Sequence, residues 1–390
     1  MRELKIGIVG VGYIGDRHID AIRRIPGTRV AALADPFVAR AKEIAADLGA
    51  AVYETAEEML EKEDLDVVHN CTPTSLHYSI NKAVIQAGIH LYCEKPLSLD
   101  ALEGEKLAAL LEEHPVANGV NLNYRMNALL QDVHQRNAAG EYGRPFMVTA
   151  SYIQDWMMME DDYDWRLDPK LGGASRAVAD IGSHLFDTSQ YVLGKKITAV
   201  NAQLMVMHPT RRQHEKTGGT FSKEKGKLLR EIRVENEDAA SIMVRFEDGT
   251  SGLFQVSQIS AGHKNDMRLR FDFETCSCEW RQEENNLLYV GRRDEPNQVV
   301  HREAAVLTPE ARAFTGLPSG HPEGWNDVLY QAVNAFYRSI RDGSYKSGQV
   351  PYATIRDGAW IMKIIEACLA SSKCGLWIDV QTGEKLWQNT

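Results

Sequence analysis

Near the start of the chain, a glycine-rich turn joins an apolar segment to an amphipathic one. The apolar segment is LKIGIV, and the turn after it has the pattern G-x-G-x-x-G. In a strand–turn–helix unit, the first glycine permits the tight turn, the second lets the backbone approach a pyrophosphate, and the third lets the helix pack on the strand. Amide groups at the start of the helix then face the phosphates. The pattern predicts a dinucleotide-binding turn formed by Gly10, Gly12, Tyr13, Ile14 and Gly15.

An acidic residue stands where such a turn requires one. The next apolar segment, RVAALAD, ends at Asp35, 20 residues after Gly15. A carboxylate at that place accepts hydrogen bonds from the adenosine ribose 2′-OH and repels a 2′-phosphate. The sequence therefore predicts NAD as the cofactor. Arg40, five residues further on, leaves NADP as the less favoured alternative.

Apolar and amphipathic segments continue to alternate as far as residue 123. This alternation is typical of a doubly wound parallel sheet, so residues 1–123 are expected to form an α/β Rossmann domain. Ligands bind such sheets at the carboxyl ends of the strands. Two turns at strand ends are therefore expected to border the cofactor, and they contain Thr72 and Pro73, and Glu94 and Lys95.

The pattern changes in residues 124–390. Alternating apolar positions predict strands in FMVTASYIQDW, ITAVNAQLMVM, AASIMVRFED, TSGLFQVSQIS and MRLRFDFET. Helical periodicity covers 130–137, 184–193, 325–341 and 355–371. This mixture predicts an α+β domain with a large, predominantly antiparallel sheet. We expect it to bind the substrate and to mediate oligomerisation.

The segment DIGSHLFD places Asp180, His184 and Asp187 on one face of a helix. Such a row can be a catalytic set, a metal site or a surface ion-pair row. No cysteine or second histidine is an evident companion, so we expect no metal. Asp187 is expected to be structural, and the nearby glycines at 172, 173 and 182 suggest a close approach to a ligand.

A second segment has a composition suited to binding a sugar. DWMMMEDDYDWR, residues 155–166, contains five acidic residues and two tryptophans, and sugars are often held by carboxylates and aromatic faces. We expect Asp155, Trp165 and Arg166 to bind substrate. Arg125, just after the last strand of the first domain, and His263, in SAGHKN, are further candidates.

A basic segment lies between the predicted strands ITAVNAQLMVM and AASIMVRFED. Residues 209–233 carry eight Lys and Arg residues against three Glu. It can be a patch for an anionic substrate or a neighbouring subunit, or a solvated loop between strands.

The composition argues against other classes of protein. A formal net charge of −10 disfavours nucleic acid and membrane surfaces as partners. No apolar run approaches the length of a membrane span, and the amino terminus enters a strand pattern without a signal peptide. The six cysteines lack metal spacing and a disulfide framework. We therefore expect a cytoplasmic protein with reduced thiols and a small-molecule partner.

In combination, the motifs resemble the Gfo/Idh/MocA oxidoreductases, which include inositol dehydrogenases and glucose–fructose oxidoreductase. The resemblance rests on the glycine-rich turn with His18, the Thr-Pro turn with His77, EKP at 94–96, and GGASRAVADIGSHLFD. It implies a Rossmann domain followed by an antiparallel-sheet domain, NAD(P), hydride transfer at a sugar or polyol carbon, and a homodimer or homotetramer. It also implies Lys95, Asp180 and His184 as the catalytic set, and QDWMMMEDDYDWRLDP resembles members acting on inositols and pyranosides.

Alcohol oxidation needs a base for the O–H proton while hydride leaves the carbon. His184 is the expected base, since imidazole accepts a proton near neutral pH. Lys95 can stabilise alkoxide character, and Asp180 can orient the imidazole or bind a neighbouring hydroxyl. Two other functions stay open: a regulator that senses NAD(H) without chemistry, and an enzyme that retains NAD and cleaves a glycoside by transient oxidation.

Overall fold

A computed structural model describes residues 2–216 and 225–386 of the chain. The amino-terminal part alternates strands and helices, as predicted. Its strands are β1 (Leu4–Val9), β2 (Thr28–Ala34), β3 (Ala51–Tyr53), β4 (Val67–Asn70), β5 (His90–Cys93) and β6 (Asn118–Val120). Its helices are α1 (Tyr13–Arg23), α2 (Val38–Ala46), α3 (Ala56–Lys62), α4 (His77–Gln86) and α5 (Ala101–Glu113).

These six strands form one parallel sheet in the order β3-β2-β1-β4-β5-β6. From β1 the chain adds β2 and β3 on one side of the sheet and then crosses over to add β4, β5 and β6 on the other side, so the strand order reverses between β1 and β4. In doubly wound sheets, a crevice for a dinucleotide opens at the carboxyl ends of the strands on either side of such a reversal. The glycine-rich turn follows β1 and the Thr72 turn follows β4, so both lie at this edge.

The rest of the chain contains more strands than the sequence patterns indicated. The helices are α6 (Ala128–Ala138), α7 (Pro169–Gly172), α8 (Ser183–Leu193), α9 (Pro309–Arg312), α10 (Trp325–Asp342) and α11 (Ile355–Cys374). The strands are β7 (Pro145–Ile153), β8 (Ile197–Met205), β9 (Thr210–Lys216), β10 (Lys225–Arg233), β11 (Ala239–Phe246), β12 (Ser251–Ser257), β13 (Asp266–Phe273), β14 (Ser277–Arg281), β15 (Leu287–Gly291), β16 (Gln298–His301), β17 (Trp377–Asp379) and β18 (Lys385–Leu386).

Ten of these strands form one sheet, in the order β16-β15-β14-β13-β7-β12-β11-β8-β17-β18, while β9 and β10 form a separate hairpin. In the part of the large sheet that the structure describes, β7 and β12 pair in parallel and the other neighbouring strands pair antiparallel. The predicted fold class, a parallel Rossmann sheet and a large, mostly antiparallel sheet, is confirmed.

The two faces of the ten-stranded sheet differ in exposure. Side chains alternate along a strand, so Val148, Ile242 and Phe254 are buried on one face. On the opposite face, Met243 and Leu253 lie directly across from each other and are 44% and 52% exposed. One face therefore supplies the core of this part of the protein, and the other carries apolar side chains at the surface.

The chain forms two compact units. One comprises residues up to Met126 together with Gly324–Met362, and the other comprises Asn127–Glu323 with the chain from Lys363 onward. The sequence patterns predict a single boundary at 123/124, with the helix at 325–341 in the second domain. In the structure α10 belongs to the nucleotide-binding unit, because its apolar stripe, which includes Val333 and Phe336, is buried there.

Among the described residues, the structure contains no helix with the length and apolar character needed to span a membrane.

Candidate active site

The glycine-rich turn is shaped by close backbone packing at two of its glycines. Gly10 has φ +86°, and a Cβ there would lie 2.8 Å from the carbonyl oxygen of Cys71. A Cβ on Gly15 would lie 2.2 Å from the carbonyl oxygen of Gly10. At Gly12, in contrast, a Cβ would meet no atom within 4 Å. The protein itself thus demands glycine at the first and third positions, whereas the second faces open space.

That open space lies at the amino terminus of α1. Gly12 is the N-cap of this helix, and no side chain caps it. Uncapped amides at a helix start, next to a glycine with room beside it, suit a phosphate group. Tyr13, the first helical residue, is 54% exposed. The turn therefore fits the pyrophosphate of a dinucleotide.

Asp35 is held against this turn at the end of β2. One carboxylate oxygen accepts a hydrogen bond from the Val11 amide (2.8 Å), and the other accepts one from the Phe37 amide (2.8 Å). Each oxygen retains further acceptor capacity for a ribose hydroxyl. Arg40, the residue that kept NADP open, donates to the Val11 carbonyl (2.8 Å) and pairs with Asp16 (2.9 Å). The residues present thus fit NAD.

His77 joins the two turns that follow β4 and β5. Its Nε2 lies 2.9 Å from the carbonyl oxygen of Thr72, and its Nδ1 lies 2.8 Å from that of Pro96. Burial lowers the pKa of His77, so the neutral ring donates to one of these carbonyls at a time. Both nitrogens face the protein backbone, so His77 links the turn that contains Thr72 and Pro73 to the turn that contains Pro96.

Lys95 follows directly after β5 and Glu94, and it is half-buried. Its backbone amide donates to the Oε2 of Glu94 (3.1 Å), while Oε1 faces His18 Nε2 (2.9 Å) and accepts from Asn121 Nδ2 (2.5 Å). Burial acts to raise the pKa of Glu94, but His18, Lys95 and Asn121 together outweigh it and lower that pKa. Glu94 is therefore an ionised carboxylate inside the protein, and its hydrogen bond holds the backbone amide of Lys95.

The second group of candidates lies on the segment DIGSHLFD. A π-helical turn, Val178–Gly182, contains Asp180 and leads directly into α8, whose first turn contains His184. Such turns are rare and frequently occur at functional sites. Asp180, His184 and Asp187 are only 9%, 6% and 1% exposed, which excludes a surface ion-pair row. No group of three or more potential metal ligands is present among the described residues.

Asp180 is engaged on both carboxylate oxygens. Oδ2 accepts a hydrogen bond from Nε2 of Gln258 (2.8 Å), and Oδ1 lies 3.3 Å from Nε of Arg166. Gln258 follows directly after β12, and its Oε1 accepts from Arg176 (3.1 Å). His184 lies beside Tyr152 of β7, with ring centroids 6.2 Å apart. The sequence patterns do not indicate Gln258 or Tyr152, because neither stands in a recognisable motif.

A buried carboxylate fixes the start of the π-helical turn. Glu237 accepts hydrogen bonds from the Ser175 hydroxyl (2.7 Å) and from the amides of Arg176 (3.0 Å) and Val178 (2.8 Å). Burial raises the pKa of Glu237, although these donors oppose the shift. Three donors converging on one carboxylate give the segment before Asp180 a single conformation.

Protein packing accounts for two of the glycines near this site. A Cβ on Gly172 would lie 2.9 Å from the Cα of Arg166, and one on Gly182 would lie 3.3 Å from a methyl group of Val178. The close approach at these positions is therefore to neighbouring residues of the same unit.

Arg166 brings part of the acid-rich segment to Asp180. Its guanidinium contacts Asp164 (3.0 Å) and lies 4.4 Å from the centroid of the Trp165 ring. Both Arg166 and Trp165 are half-buried. The structure thus assembles a carboxylate, a guanidinium and an indole, which are groups that can bind hydroxyls and the C–H face of a sugar ring.

The remaining predicted substrate residues lie in two places. Asp155 pairs with Lys264 and accepts from the Gly262 amide (3.1 Å), so it anchors the loop that contains His263. His263 Nδ1 lies 2.6 Å from Asp266. Arg125 belongs to the nucleotide-binding unit, where it is buried and lies 3.8 Å from Asp357.

The described part of the basic insert contacts the acid-rich segment. Arg211, with a fully buried side chain, donates to the carbonyls of Met157 (2.9 Å) and Met159 (2.8 Å) and to Asp238 (2.6 Å). Arg212 pairs with Glu160 at 3.0 Å. Residues 217–224 of this insert lie outside the described residues. The insert is neither a solvated loop throughout nor, at Arg211, a surface patch.

Comparison with known proteins agrees with this geometry. Residues 4–122 match the oxidoreductase family with an NAD-binding Rossmann fold, and residues 130–278 match the GFO/IDH/MocA C-terminal domain. The chain is 24% identical to levoglucosan dehydrogenase of Pseudarthrobacter phenanthrenivorans, over 97% of this chain and 99% of that protein. It is 30% identical to inositol 2-dehydrogenase 4 of Saccharopolyspora erythraea, over 56% of this chain and 61% of that protein.

A solved structure resembles the whole chain. The crystal structure of an oxidoreductase domain protein from Kribbella flavida superposes with a TM-score of 0.86 at 25% identity, over 97% of this chain and 100% of that one. The glycine-rich turn with Asp35, the strand order and the family matches to both domains all indicate the same family. The chain therefore belongs to the GFO/IDH/MocA family of oxidoreductases and binds NAD.

Proposed function

We propose that this protein is an NAD-dependent dehydrogenase that oxidises a secondary hydroxyl of a cyclic polyol or sugar to a ketone. The observation that carries the proposal is that Asp180 and His184 are both buried, with Arg166 against Asp180 and Trp165 against Arg166. Relatives named levoglucosan dehydrogenase and inositol 2-dehydrogenase support the same class of substrate.

Each residue has a part in the proposed reaction. His184 accepts the hydroxyl proton, and the Lys95 ammonium group stabilises negative charge on the oxygen as the proton leaves. Asp180 binds a neighbouring hydroxyl, and the Trp165 face packs against ring C–H groups. NAD, held by the glycine-rich turn and Asp35, would supply the hydride acceptor. The alcohol loses one hydride and one proton and becomes a ketone.

The contacts of the basic insert favour a substrate without a phosphate group. Arg211 is fully buried and bonded to carbonyls and a carboxylate, and Arg212 is paired with Glu160. Both cations are thus partly or wholly neutralised by the protein. We therefore infer a neutral sugar or polyol.

The test is steady-state NADH absorbance with inositols, free hexoses, anhydrosugars and hexose phosphates, each with NAD and with NADP. We expect NADH formation from at least one neutral cyclic substrate, with kcat/KM for NAD at least about tenfold above NADP because of Asp35. Tight NAD binding without turnover of any compound would support the NAD(H)-sensing regulator instead. Cleavage of a glycoside without net NADH would support the NAD-retaining enzyme.

We also propose that the open face of the ten-stranded sheet joins two copies of the chain. Met147, Met243, Leu253 and Tyr289 are 39–52% exposed on this face, and such apolar patches mark interaction sites. Leu253→Lys should place a charge in that interface and weaken dimerisation by about 30-fold or more. Light scattering during size-exclusion chromatography measures the effect.

The matched control is Leu102→Lys. Leu102 lies in α5 and is 57% exposed, so the same charge is added at an apolar surface position in the other unit. The control should keep the wild-type mass. A wild-type monomer, or equal masses for both variants, would refute this interface.

A further inference from the structure

A chain of buried hydrogen bonds runs through the nucleotide-binding unit to Glu94. His18 Nε2 lies 2.9 Å from Glu94, His18 Nδ1 lies 2.8 Å from His69 Nδ1, and His69 Nε2 lies 2.7 Å from the hydroxyl of Tyr337. The exposures of His18, His69 and Tyr337 are all 0%. None of these three side chains has a part in the proposed reaction.

The four residues come from distant parts of the sequence. They lie on α1, on β4, after β5 and on α10, and His69 and Tyr337 are 268 residues apart. Buried polar groups lose free energy unless they are hydrogen-bonded, so such a chain is stable only when every bond in it is made. This series of hydrogen bonds is therefore an organised part of the nucleotide-binding unit.

Its hydrogen bonds follow from the donors and acceptors present. A carboxylate only accepts, so His18 Nε2 donates to Glu94. Burial, together with the nearby His18, lowers the pKa of His69 well below its ordinary value, so that ring is neutral and carries one N–H. One proton lies between His18 Nδ1 and His69 Nδ1, and another lies between His69 Nε2 and the Tyr337 hydroxyl, so each contact is one hydrogen bond.

The Glu94 end of this series of hydrogen bonds acts on Lys95. His18 and Asn121 bind Oε1 of Glu94, and this fixes the carboxylate so that Oε2 accepts the backbone amide of Lys95 at 3.1 Å. The orientation of one carboxylate is thus transmitted to the backbone of the proposed catalytic lysine.

We propose that His18, His69 and Tyr337 are positioning residues that hold Lys95 at the end of β5 through the Glu94 carboxylate. The catalytic consequence rests on the proposed function, because it requires that Lys95 acts in the reaction. The hydrogen bonds themselves and their effect on the Lys95 amide do not depend on that function.

The kinetic test compares two tyrosine variants of the full chain. Tyr337→Phe removes the hydroxyl bonded to His69 and keeps the ring, so kcat should fall roughly 10- to 100-fold, the size expected when a catalytic group is misplaced, with little change in the KM for NAD. The control is Tyr352→Phe, which removes a buried hydroxyl bonded to Ser339 (2.7 Å) in the same unit. Equal kcat in the two variants would overturn the positioning role and leave the dehydrogenase intact.

A second pair of variants covers the case in which Tyr337→Phe does not fold. His69→Asn places an amide donor near the position of Nδ1 and can still donate to His18, whereas His69→Leu cannot. We expect His69→Asn to retain at least about tenfold more of the wild-type kcat than His69→Leu. Equal losses would show that only the volume of the side chain matters.

A spectroscopic test works without any turnover. In ¹⁵N imidazole spectra of the full chain we expect a neutral His69 ring with a proton on one nitrogen, and a proton on Nε2 of His18. The backbone amide signal of Lys95 should move in Tyr337→Phe and stay in place in Tyr352→Phe. A charged His69 ring, or an unmoved Lys95 amide, would overturn the proposal even if the protein proves to be no dehydrogenase.

Discussion

Replacing Lys95 by methionine is expected to lower kcat by about 10²- to 10³-fold, the cost of removing one group that stabilises developing negative charge on oxygen. Methionine keeps most of the side-chain volume and removes the ammonium group. The backbone amide of Lys95 still donates to Glu94, so the turn after β5 should keep its conformation. Binding of NAD, measured by fluorescence titration, should change by no more than about threefold, since the charge is needed mainly as the proton leaves.

The matched control for this variant is Lys82→Met. Lys82 is exposed on α4 of the same unit, and its replacement also removes one positive charge from the protein. Its kcat should stay within about twofold of the wild-type value. If Lys95→Met and Lys82→Met have the same kcat, Lys95 has no part in the chemical step.

Replacing His184 by asparagine is expected to remove the general base and to lower kcat by about 10²- to 10⁴-fold. In the wild type, kcat should fall at low pH as the base becomes protonated. In the variant this fall should disappear, because no group that titrates in that range accepts the proton. The measurement is the pH profile of kcat under saturating NAD and substrate.

His301→Asn is the control for the base. His301 lies on the edge strand β16 and is exposed, so its loss changes the histidine content without touching the buried pair on DIGSHLFD. The pH profile of this control should match the wild type. A His184→Asn enzyme that keeps both its kcat and its acid limb would refute the assignment of the base.

The nucleotide-binding features were predictable because they depend on neighbouring residues. The glycine spacing requires a tight turn, and the structure places Gly10 at a positive φ and packs Gly15 against the carbonyl of Gly10. Asp35 follows directly after β2, where the pattern predicted it. Short strands such as β3, β14 and β17 escaped prediction, because three to five residues carry little periodicity and become strands only by pairing with a neighbour.

The segment DIGSHLFD shows a limit of local reasoning. Helical spacing predicted that Asp180 and His184 share a face, but it did not predict the π-helical turn or the burial of all three ionisable residues. The turn is fixed by Glu237, and Asp180 is bonded to Gln258, 78 residues further along the chain. Such partners become neighbours only when the ten-stranded sheet brings β12 beside the helix.

The amino-acid sequence by itself determined the Rossmann turn, the acid at the end of β2, the order of the main strands and helices, and the segments that carry Lys95 and His184. Tertiary structure alone decided that α10 joins the nucleotide-binding unit and that Tyr337 completes a chain of hydrogen bonds to Glu94. It also decided that Arg211 is buried against Asp238. The physical reason is that turns and periodicity arise from bonds a few residues long, whereas the burial and pairing of charged groups depend on residues that only folding brings together.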